Sequence, residues 1–334
     1  MAAHARLAGA DTGVDVATVD LDLRRDSADS SPARPRLPRD VGADPGPAVA
    51  HPLRLMKCHL IKTGRPVSDL YIQPAVDAAI EPASIAELCT HLRAPDCPPQ
   101  GIVQLGAWEL EYRHARAFAS TVELLFRDGI YDLDGLARPA VILDGGAWLG
   151  LSVLRFRSLF PDARIHAFEP DPALFEVLTR NLQRNGIRNV EAHNVALADQ
   201  EGELEFLATG SDAGSLRVRA REGHLTRVPT RVLSEYVSSP VSLLKLNVEG
   251  SEWDVIDELG DRLALVDQVL IEYHGFNELP QTLHRILGRL DEYGFTYIIS
   301  HFDERNQACV PPLRLTEDFR YFLLIYARKL HTTE

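Results

Sequence analysis

The chain has 334 residues and a formal net charge of −13 at pH 7, with 45% hydrophobic and 25% charged residues. Such a chain is long enough for one or two globular domains with a sizeable core. Its negative charge argues against a surface for nucleic acid or anionic lipid, and no apolar stretch reaches the roughly 18 residues that a membrane helix needs. The N-terminal segment lacks the apolar core of a secretory signal, so the sequence predicts a cytoplasmic protein.

The four cysteines predict neither disulfides nor a metal centre. Cys58, Cys89, Cys97 and Cys309 form no Cys-x-x-Cys pair, and no group of histidines and cysteines has the spacing of a zinc site. We therefore expect reduced thiols and no bound metal.

Two segments come before the main domain. Residues 1–50 contain no aromatic residue and are rich in Ala, Asp, Arg and Pro, so they cannot bury enough apolar surface to offset the entropy of ordering. We predict a disordered tail there. Residues 51–135 hold several proline-bounded pieces, with a helical pattern over residues 108–127. This segment is expected to be a small cap that packs against the main domain and helps to form the substrate region.

From residue 136 to about residue 330, short apolar runs alternate with helical patterns. The predicted strands are residues 141–143, 164–168, 190–195, 202–208, 226–232, 242–246, 268–271, 295–299 and 321–327, and the predicted helices are residues 148–159, 172–185, 252–259 and 279–293. Repeated β-α units predict a parallel sheet with right-handed crossovers. The last two strands have no helix between them, so we expect an antiparallel hairpin at the C-terminus.

The first strand and the turn after it indicate a nucleotide-type α/β domain. The stretch Ala140 to Gly150 reads AVILDGGAWLG, an apolar run that ends in Asp144 and leads into a glycine-rich turn. The next strand ends in Glu169, where an acid can accept the ribose hydroxyls of an adenosine. An adenosine-containing cofactor is therefore expected.

Two features favour S-adenosylmethionine over a nicotinamide dinucleotide. Asp144 stands directly before the glycines, where its charge would face the phosphates of a dinucleotide but suits the ammonium of S-adenosylmethionine. The expected C-terminal hairpin is typical of the seven-stranded methyltransferase sheet. A tight turn without any ligand is the other interpretation of the glycines alone.

The chain from about residue 122 to residue 300 resembles the FkbM-type S-adenosylmethionine-dependent methyltransferases. The matching pieces are ILDGGAWLGLSVL, AFEPDP, NVALADQEGELEF, LLKLNVEGSEWDVI and LIEYHG. The resemblance implies a class I (Rossmann-like) α/β fold with a mostly parallel seven-stranded sheet. It also implies methyl transfer, usually to a hydroxyl of a natural product or sugar. Two positions depart from the family pattern, since Trp148 stands where Asn is usual and Asn247 stands where Asp is usual.

The candidate cofactor-binding residues lie on the turns that follow the first three strands and the strand at residues 242–246. They are Asp144, Gly145, Gly146, Ala147, Trp148, Gly150, Glu169, Pro170, Ala198, Asp199 and Asn247. We expect Asp144 to contact the methionine ammonium, Glu169 the ribose and Asp199 the adenine.

The candidate catalytic residues are His274, Glu249 and Asn247, at the edge of the sheet where ligands bind in open α/β folds. A histidine near the sulfonium can take the proton of an attacking hydroxyl, so His274 is predicted to be a general base. Packed or capping roles are the alternative for each residue. Because Asn lacks the charge of Asp, no metal role is expected for Asn247.

Three functions remain in competition on sequence alone. The first is S-adenosylmethionine-dependent transfer to a small-molecule acceptor, with oxygen, nitrogen and carboxylate acceptors all open. The second is a binding or regulatory protein that keeps the fold without catalysis, and the third is a nicotinamide-dependent oxidoreductase. Neither nucleic acid nor membrane is expected as a partner, and the oligomeric state is open.

Overall fold

The computed structural model describes residues 71–72, 80–208, 224–300 and 320–330. The predicted tail at residues 1–50 lies outside the described residues, as do Cys58, Cys309 and the greater part of residues 51–79.

A seven-stranded sheet forms the centre of the fold, in the order β13-β14-β12-β11-β5-β6-β7. The strands are β1 Tyr71–Ile72, β2 Gln100–Leu105, β3 Trp108–Arg113, β4 Leu136–Ala137, β5 Val141–Gly145, β6 Arg164–Phe168, β7 Val190–His193, β8 Ala196–Leu197, β9 Gly202–Ala208, β10 His224–Arg231, β11 Val241–Leu246, β12 Val266–Phe276, β13 Phe295–Ser300 and β14 Arg320–Lys329. The α-helices are α1 Pro82–Arg93, α2 Ala115–Val122, α3 Leu151–Leu159, α4 Pro172–Arg184, α5 Glu252–Leu259 and α6 Leu283–Glu292. A π-helical turn, Glu123–Arg127, continues α2.

The sheet is parallel except for β14, which runs antiparallel to both β12 and β13. All six residues of β11 are buried, as expected for a strand that is covered on both faces. The predicted fold class is therefore confirmed, including the antiparallel C-terminal pair. The chain passes from β13 to β14 and places β14 between β13 and β12.

Four elements differ from the prediction in kind or by three or more residues at one end. The helix predicted from residue 148 begins at Leu151, because Trp148 and Gly150 have φ angles of +48° and +91° that no α-helix contains. The strand predicted at residues 268–271 continues to Phe276, because β14 pairs with it along that length. Residues 108–113 form β3 and not a helix, since they pair with β2. The last helix begins at Leu283 and not at residue 279.

Residues before the main sheet pack on the helical layer through α4. Asn181 Oδ1 accepts from Glu111 N at 2.8 Å, and Asn181 Nδ2 donates to Glu111 O at 3.0 Å. Asn185 pairs with the backbone of Glu109 in the same way, at 2.9 Å for both bonds. These two asparagines bind the backbone N–H and C=O groups on the edge of β3 that does not pair with β2. They thereby hold the β2–β3 hairpin against α4.

The residues between β7 and β11 form a smaller three-stranded sheet in the order β8-β10-β9.

Within the described residues, no helix has the length and apolar character that a membrane crossing requires.

Candidate active site

The glycine turn after β5 is built from close backbone approaches. Gly146 N and Ala147 N both donate to Phe168 O at 2.9 Å, and Asn247 N donates to Gly145 O at 3.0 Å. A Cβ on Gly146, where φ is +78°, would lie 1.9 Å from Asn247 O. Only glycine fits at this position. The backbone hydrogen bonds of the turn hold the carboxyl ends of β5, β6 and β11 together.

Glu169 lies directly after β6 and is almost fully buried. Its Oε2 accepts from Trp148 N at 2.8 Å, and its Oε1 accepts from Asp171 N at 2.9 Å. Burial raises the pKa of Glu169 to about 7, although these two backbone hydrogen bonds oppose the shift. The structure thus brings Glu169 into contact with the glycine turn, and its ribose contact stays a prediction.

Trp148 adopts a left-handed backbone conformation in this turn, with φ +48°. Asparagine tolerates that conformation better than most residues. This is a physical reason why Asn is usual at this position in the family that the chain resembles. The Trp148 ring contacts Phe118 of α2, with 6.3 Å between ring centroids. Trp148 therefore joins the turn to the N-terminal elements by packing.

Asp144 points into the protein interior. Its Oδ2 accepts from Ser152 Oγ at 2.6 Å, and its Oδ1 lies 2.9 Å from Lys245 Nζ. Lys245 is also buried and donates to Gly145 O at 3.1 Å and to Gly146 O at 2.8 Å. The ammonium of Lys245 thus lies beside Asp144, where the ammonium of the cofactor was expected.

Asn247, the first residue after β11, belongs to a second polar network. Its Nδ2 donates to Glu272 Oε2 at 3.1 Å, and Tyr131 OH donates to Glu272 Oε1. Burial raises the pKa of Glu272, and the charge of Lys245 opposes the shift. Asn247 Oδ1 is buried and has no hydrogen-bond partner among the described residues. A carbonyl acceptor is therefore available at the carboxyl end of β11.

His274 lies between two carboxylates. Its Nδ1 is 2.8 Å from Glu252 Oε1 and its Nε2 is 3.2 Å from Glu249 Oε1. Burial alone lowers the pKa of His274, but Glu249 and Glu252 together raise it well above its usual value. A carboxylate oxygen lies beside each ring nitrogen, so both nitrogens are placed to donate a hydrogen bond. This arrangement argues against the predicted role of His274 as a base, because no ring nitrogen is free to accept a proton.

Glu252 also orders the turn that carries Glu249. Both of its carboxylate oxygens accept from Gly250 N at 3.1 Å. Glu249 itself has a φ of +50°, and its side chain is 18% exposed against 5% for His274. Glu249 is thus the most accessible acid of this cluster.

The remaining predicted residues are Pro170, Ala198 and Asp199, which follow β6 and β8. Pro170 is partly buried, and both Glu169 O and Pro170 O accept from Asn194 Nδ2, at 2.8 and 3.2 Å. Ala198 is buried and Asp199 exposed, directly after β8 of the smaller sheet. The adenine contact of Asp199 stays a prediction.

The sequence places Lys245 on the same side of its strand as Asn247 but gives it no role, and Tyr131 is not among the predicted site residues. Lys245 gives a signal in the sequence, as a lysine inside an apolar strand, whereas Tyr131 gives none. Glu252 follows the same strand, with a helix start as its alternative role, and it does begin α5.

The sheet order, the antiparallel strand β14 and the acids at the carboxyl ends of parallel strands define an α/β protein of the class I methyltransferase type. Residues 144–297, a little under half of the chain, match the family described as the methyltransferase FkbM domain.

Curated relatives agree with this family. "Methyltransferase 1" of Beauveria bassiana (strain ARSEF 2860) is 28% identical over 174 residues, which are 44% of this chain and 70% of the relative. "Methyltransferase sdnD" of Sordaria araneosa is 29% identical over 185 residues, with 44% and 71% covered. "2-O-methyltransferase NoeI" of Sinorhizobium fredii (strain NBRC 101917 / NGR234) is 27% identical over 154 residues, with 40% and 63% covered.

Proposed function

We propose that the protein transfers a methyl group from S-adenosylmethionine to a hydroxyl of a small molecule. The observation that carries the proposal is the position of Glu169, a buried carboxylate at the end of β6 that touches the glycine turn after β5. An acid in that place accepts the ribose hydroxyls of adenosine cofactors in α/β folds.

The residues present fit this cofactor. Glu169 would hold the ribose, and the glycine turn would allow the methionine part to lie against the backbone. Asn247 Oδ1, which has no partner among the described residues, would accept from the ammonium. When bound, S-adenosylmethionine supplies a methyl carbon that is activated by its sulfonium sulfur.

Glu249 is proposed to receive the proton of the acceptor hydroxyl. It is the most accessible acid beside Asn247, and His274 holds its carboxylate at 3.2 Å. Glu252 fixes the opposite side of the His274 ring, so the imidazolium positions Glu249 and takes no proton itself. General bases of this kind contribute about 10²–10⁴-fold to a rate.

An oxygen acceptor is proposed in preference to nitrogen or carboxylate. A hydroxyl must lose its proton on methylation, whereas a carboxylate has none to lose, and Glu249 offers a group for that proton. One of the relatives carries the name of a 2-O-methyltransferase, which supports a sugar or natural-product hydroxyl.

Calorimetric titration with S-adenosylhomocysteine tests the cofactor, with NAD⁺ as the contrasting ligand. We expect the wild type to bind the former alone. Glu169→Gln should weaken binding about 10–100-fold, because the site loses hydrogen bonds to a charged acceptor. Glu176→Gln on the exposed face of α4 is the matched control and should bind like the wild type.

Transfer of a labelled methyl group to a panel of hydroxyl, amine and carboxylate compounds then tests the acceptor. Transfer to hydroxyl compounds supports the proposal. Cofactor binding without transfer to any member of a broad panel would favour a binding or regulatory protein. Absence of cofactor binding would overturn the proposal as a whole.

A further inference from the structure

A second cluster of ligand-type side chains lies on β6 and β7, outside the residues assigned to the site described above. His166, Glu191 and His193 each offer one nitrogen or oxygen, and these three atoms lie within 4.8 Å of one another. His166 pairs with Glu191 in the register of the two parallel strands, and His193 follows two residues later on the same face. Two neighbouring strands thus bring three potential ligand atoms close together.

The two distances from His166 match those between the ligands of a small divalent cation. His166 Nδ1 lies 3.2 Å from His193 Nε2 and 3.6 Å from Glu191 Oε2. Ligands at about 2.0–2.2 Å from a tetrahedral zinc ion are separated by roughly 3.3–3.6 Å. We propose that His166, Glu191 and His193 form a binding site for a divalent transition-metal ion, with Zn²⁺ as the best fit.

The surroundings of the cluster support the assignment. Arg164 Nη2 donates to the other oxygen of Glu191 at 2.6 Å, as hydrogen bonds from neighbouring groups orient ligating carboxylates. The ring of Tyr236 lies edge-on to both imidazoles, with centroids at 5.8 Å from His166 and 5.2 Å from His193. Glu191 is 51% exposed, so an ion has a path from solvent.

The two facing nitrogens of His166 and His193 can both serve as ligands when the imidazoles are neutral. In the metal-free pair one ring donates its N–H to the other. Metal binding moves that proton to the second nitrogen of its own ring, and both facing nitrogens become ligands with no net change in protons.

The site would join the strand that precedes Glu169 to its neighbour. Glu169 N donates to His193 O at 3.0 Å, so an ion at the cluster would hold the ends of β6 and β7 together. The sequence spacing does not reveal the site, because its ligands come from two strands about 25 residues apart. The proposal does not depend on methyl transfer.

Zinc titration of tag-free, chelator-treated full-length protein tests the proposal. A chromophoric chelator reports the stoichiometry, and Co²⁺ absorption in the visible range reports the ligand geometry. We expect the wild type to bind one Zn²⁺ more than His193→Gln, with a Co²⁺ spectrum of four or five ligands. His284→Gln, which alters an exposed histidine on α6, should keep the wild-type stoichiometry.

A second variant guards against loss of folding. Glu191→Gln changes an exposed side chain and should weaken Zn²⁺ binding at least about tenfold, since an amide is a poorer ligand than a carboxylate. Zn²⁺ should also raise the Tm of the wild type and of His284→Gln, but not that of His193→Gln. Equal stoichiometry in the wild type and His193→Gln, or no Zn²⁺ bound by the wild type, would overturn the proposal.

Discussion

Asp144 and Lys245 form an ion pair inside the protein, with 2.9 Å between Asp144 Oδ1 and Lys245 Nζ. The two residues are register partners on β5 and β11, and both are buried. Lys245 Nζ also donates to the carbonyls of Gly145 and Gly146. A single buried ammonium therefore neutralises the acid before the glycine turn and fixes the backbone of the turn.

Lys245→Met should destabilise the protein by about 3–5 kcal/mol, because it leaves Asp144 as a buried charge without its counter-ion. Urea unfolding measures the free energy of unfolding directly. The double variant Lys245→Met with Asp144→Asn removes both charges and should recover a large part of the loss. If the double variant were no more stable than Lys245→Met, the ion pair would not be the cause.

Gly146→Ala should prevent the turn from forming, because the added Cβ would meet Asn247 O at 1.9 Å. We expect a loss of more than about 4 kcal/mol, as in other severe core clashes. Gly186→Ala provides the matched control. Gly186 has φ +59° with no atom within 4 Å of an added Cβ, so only backbone strain of about 1–2 kcal/mol applies. Similar losses in the two variants would contradict the close approach at Gly146.

The sheet could be predicted from the sequence because its strands are short apolar runs with turn signals between them. Residues 164–168 were predicted with the bounds of β6, and Glu169 at its end follows directly. Asp171 as a helix cap also follows from local rules, and its side chain does accept from Ala173 N and Leu174 N.

The partners inside the site could not be predicted, because they come from distant parts of the chain. Tyr131 lies 141 residues before Glu272, and no local pattern joins them. The position of His274 between Glu249 and Glu252 depends on the extension of β12 beyond Ile271. That extension comes from pairing with β14, which short-range periodicity does not report.

Tyr131→Phe should destabilise the protein by about 1.5–3 kcal/mol, because the buried carboxylate of Glu272 loses a donor. Tyr326→Phe is the control, since Tyr326 OH donates to the neutral Gln268 Oε1 at 2.9 Å. That change should cost about 0.5–1.5 kcal/mol. Urea unfolding of both variants measures the difference, and a smaller loss for Tyr131→Phe than for Tyr326→Phe would contradict the charge-assisted bond.

The stabilising effect of His274 should decline as the pH rises. Its pKa in the folded protein is raised above the usual value of about 6.5, so the folded state holds its proton more tightly than the unfolded state. The stabilisation is therefore complete below about pH 6.5 and is lost as the pH rises through the folded pKa. The free-energy difference between the wild type and His274→Gln should shrink above pH 6.5, by at most about 1.4 kcal/mol per pH unit.

Urea unfolding from pH 6 to pH 9 measures this difference, and titrations common to both proteins cancel. His284→Gln, at an exposed position, should differ little from the wild type throughout. A constant gap between the wild type and His274→Gln over the whole range would show that His274 is not held as a cation.

Asn247→Asp restores the residue that is usual in the resembling proteins, and we expect it to destabilise this one. The Asn247 amide donates to Glu272 Oε2 at 3.1 Å, and Asp would place a second carboxylate there. Two buried carboxylates at that distance cannot both ionise, so one folded-state pKa rises and stability falls as the pH increases. The loss should be about 1.5–3 kcal/mol at pH 8, the range for a lost hydrogen bond to a charged group, and smaller at pH 5.

The double variant Asn247→Asp with Glu272→Gln exchanges the charge and the amide. Gln at position 272 can donate to Asp at position 247, so the hydrogen bond returns with its direction reversed. Its stability at pH 8 should exceed that of Asn247→Asp, with a weaker pH dependence. If Asn247→Asp were as stable as the wild type at pH 8, the hydrogen bond between Asn247 and Glu272 would not be the reason why Asn is favoured over Asp at position 247.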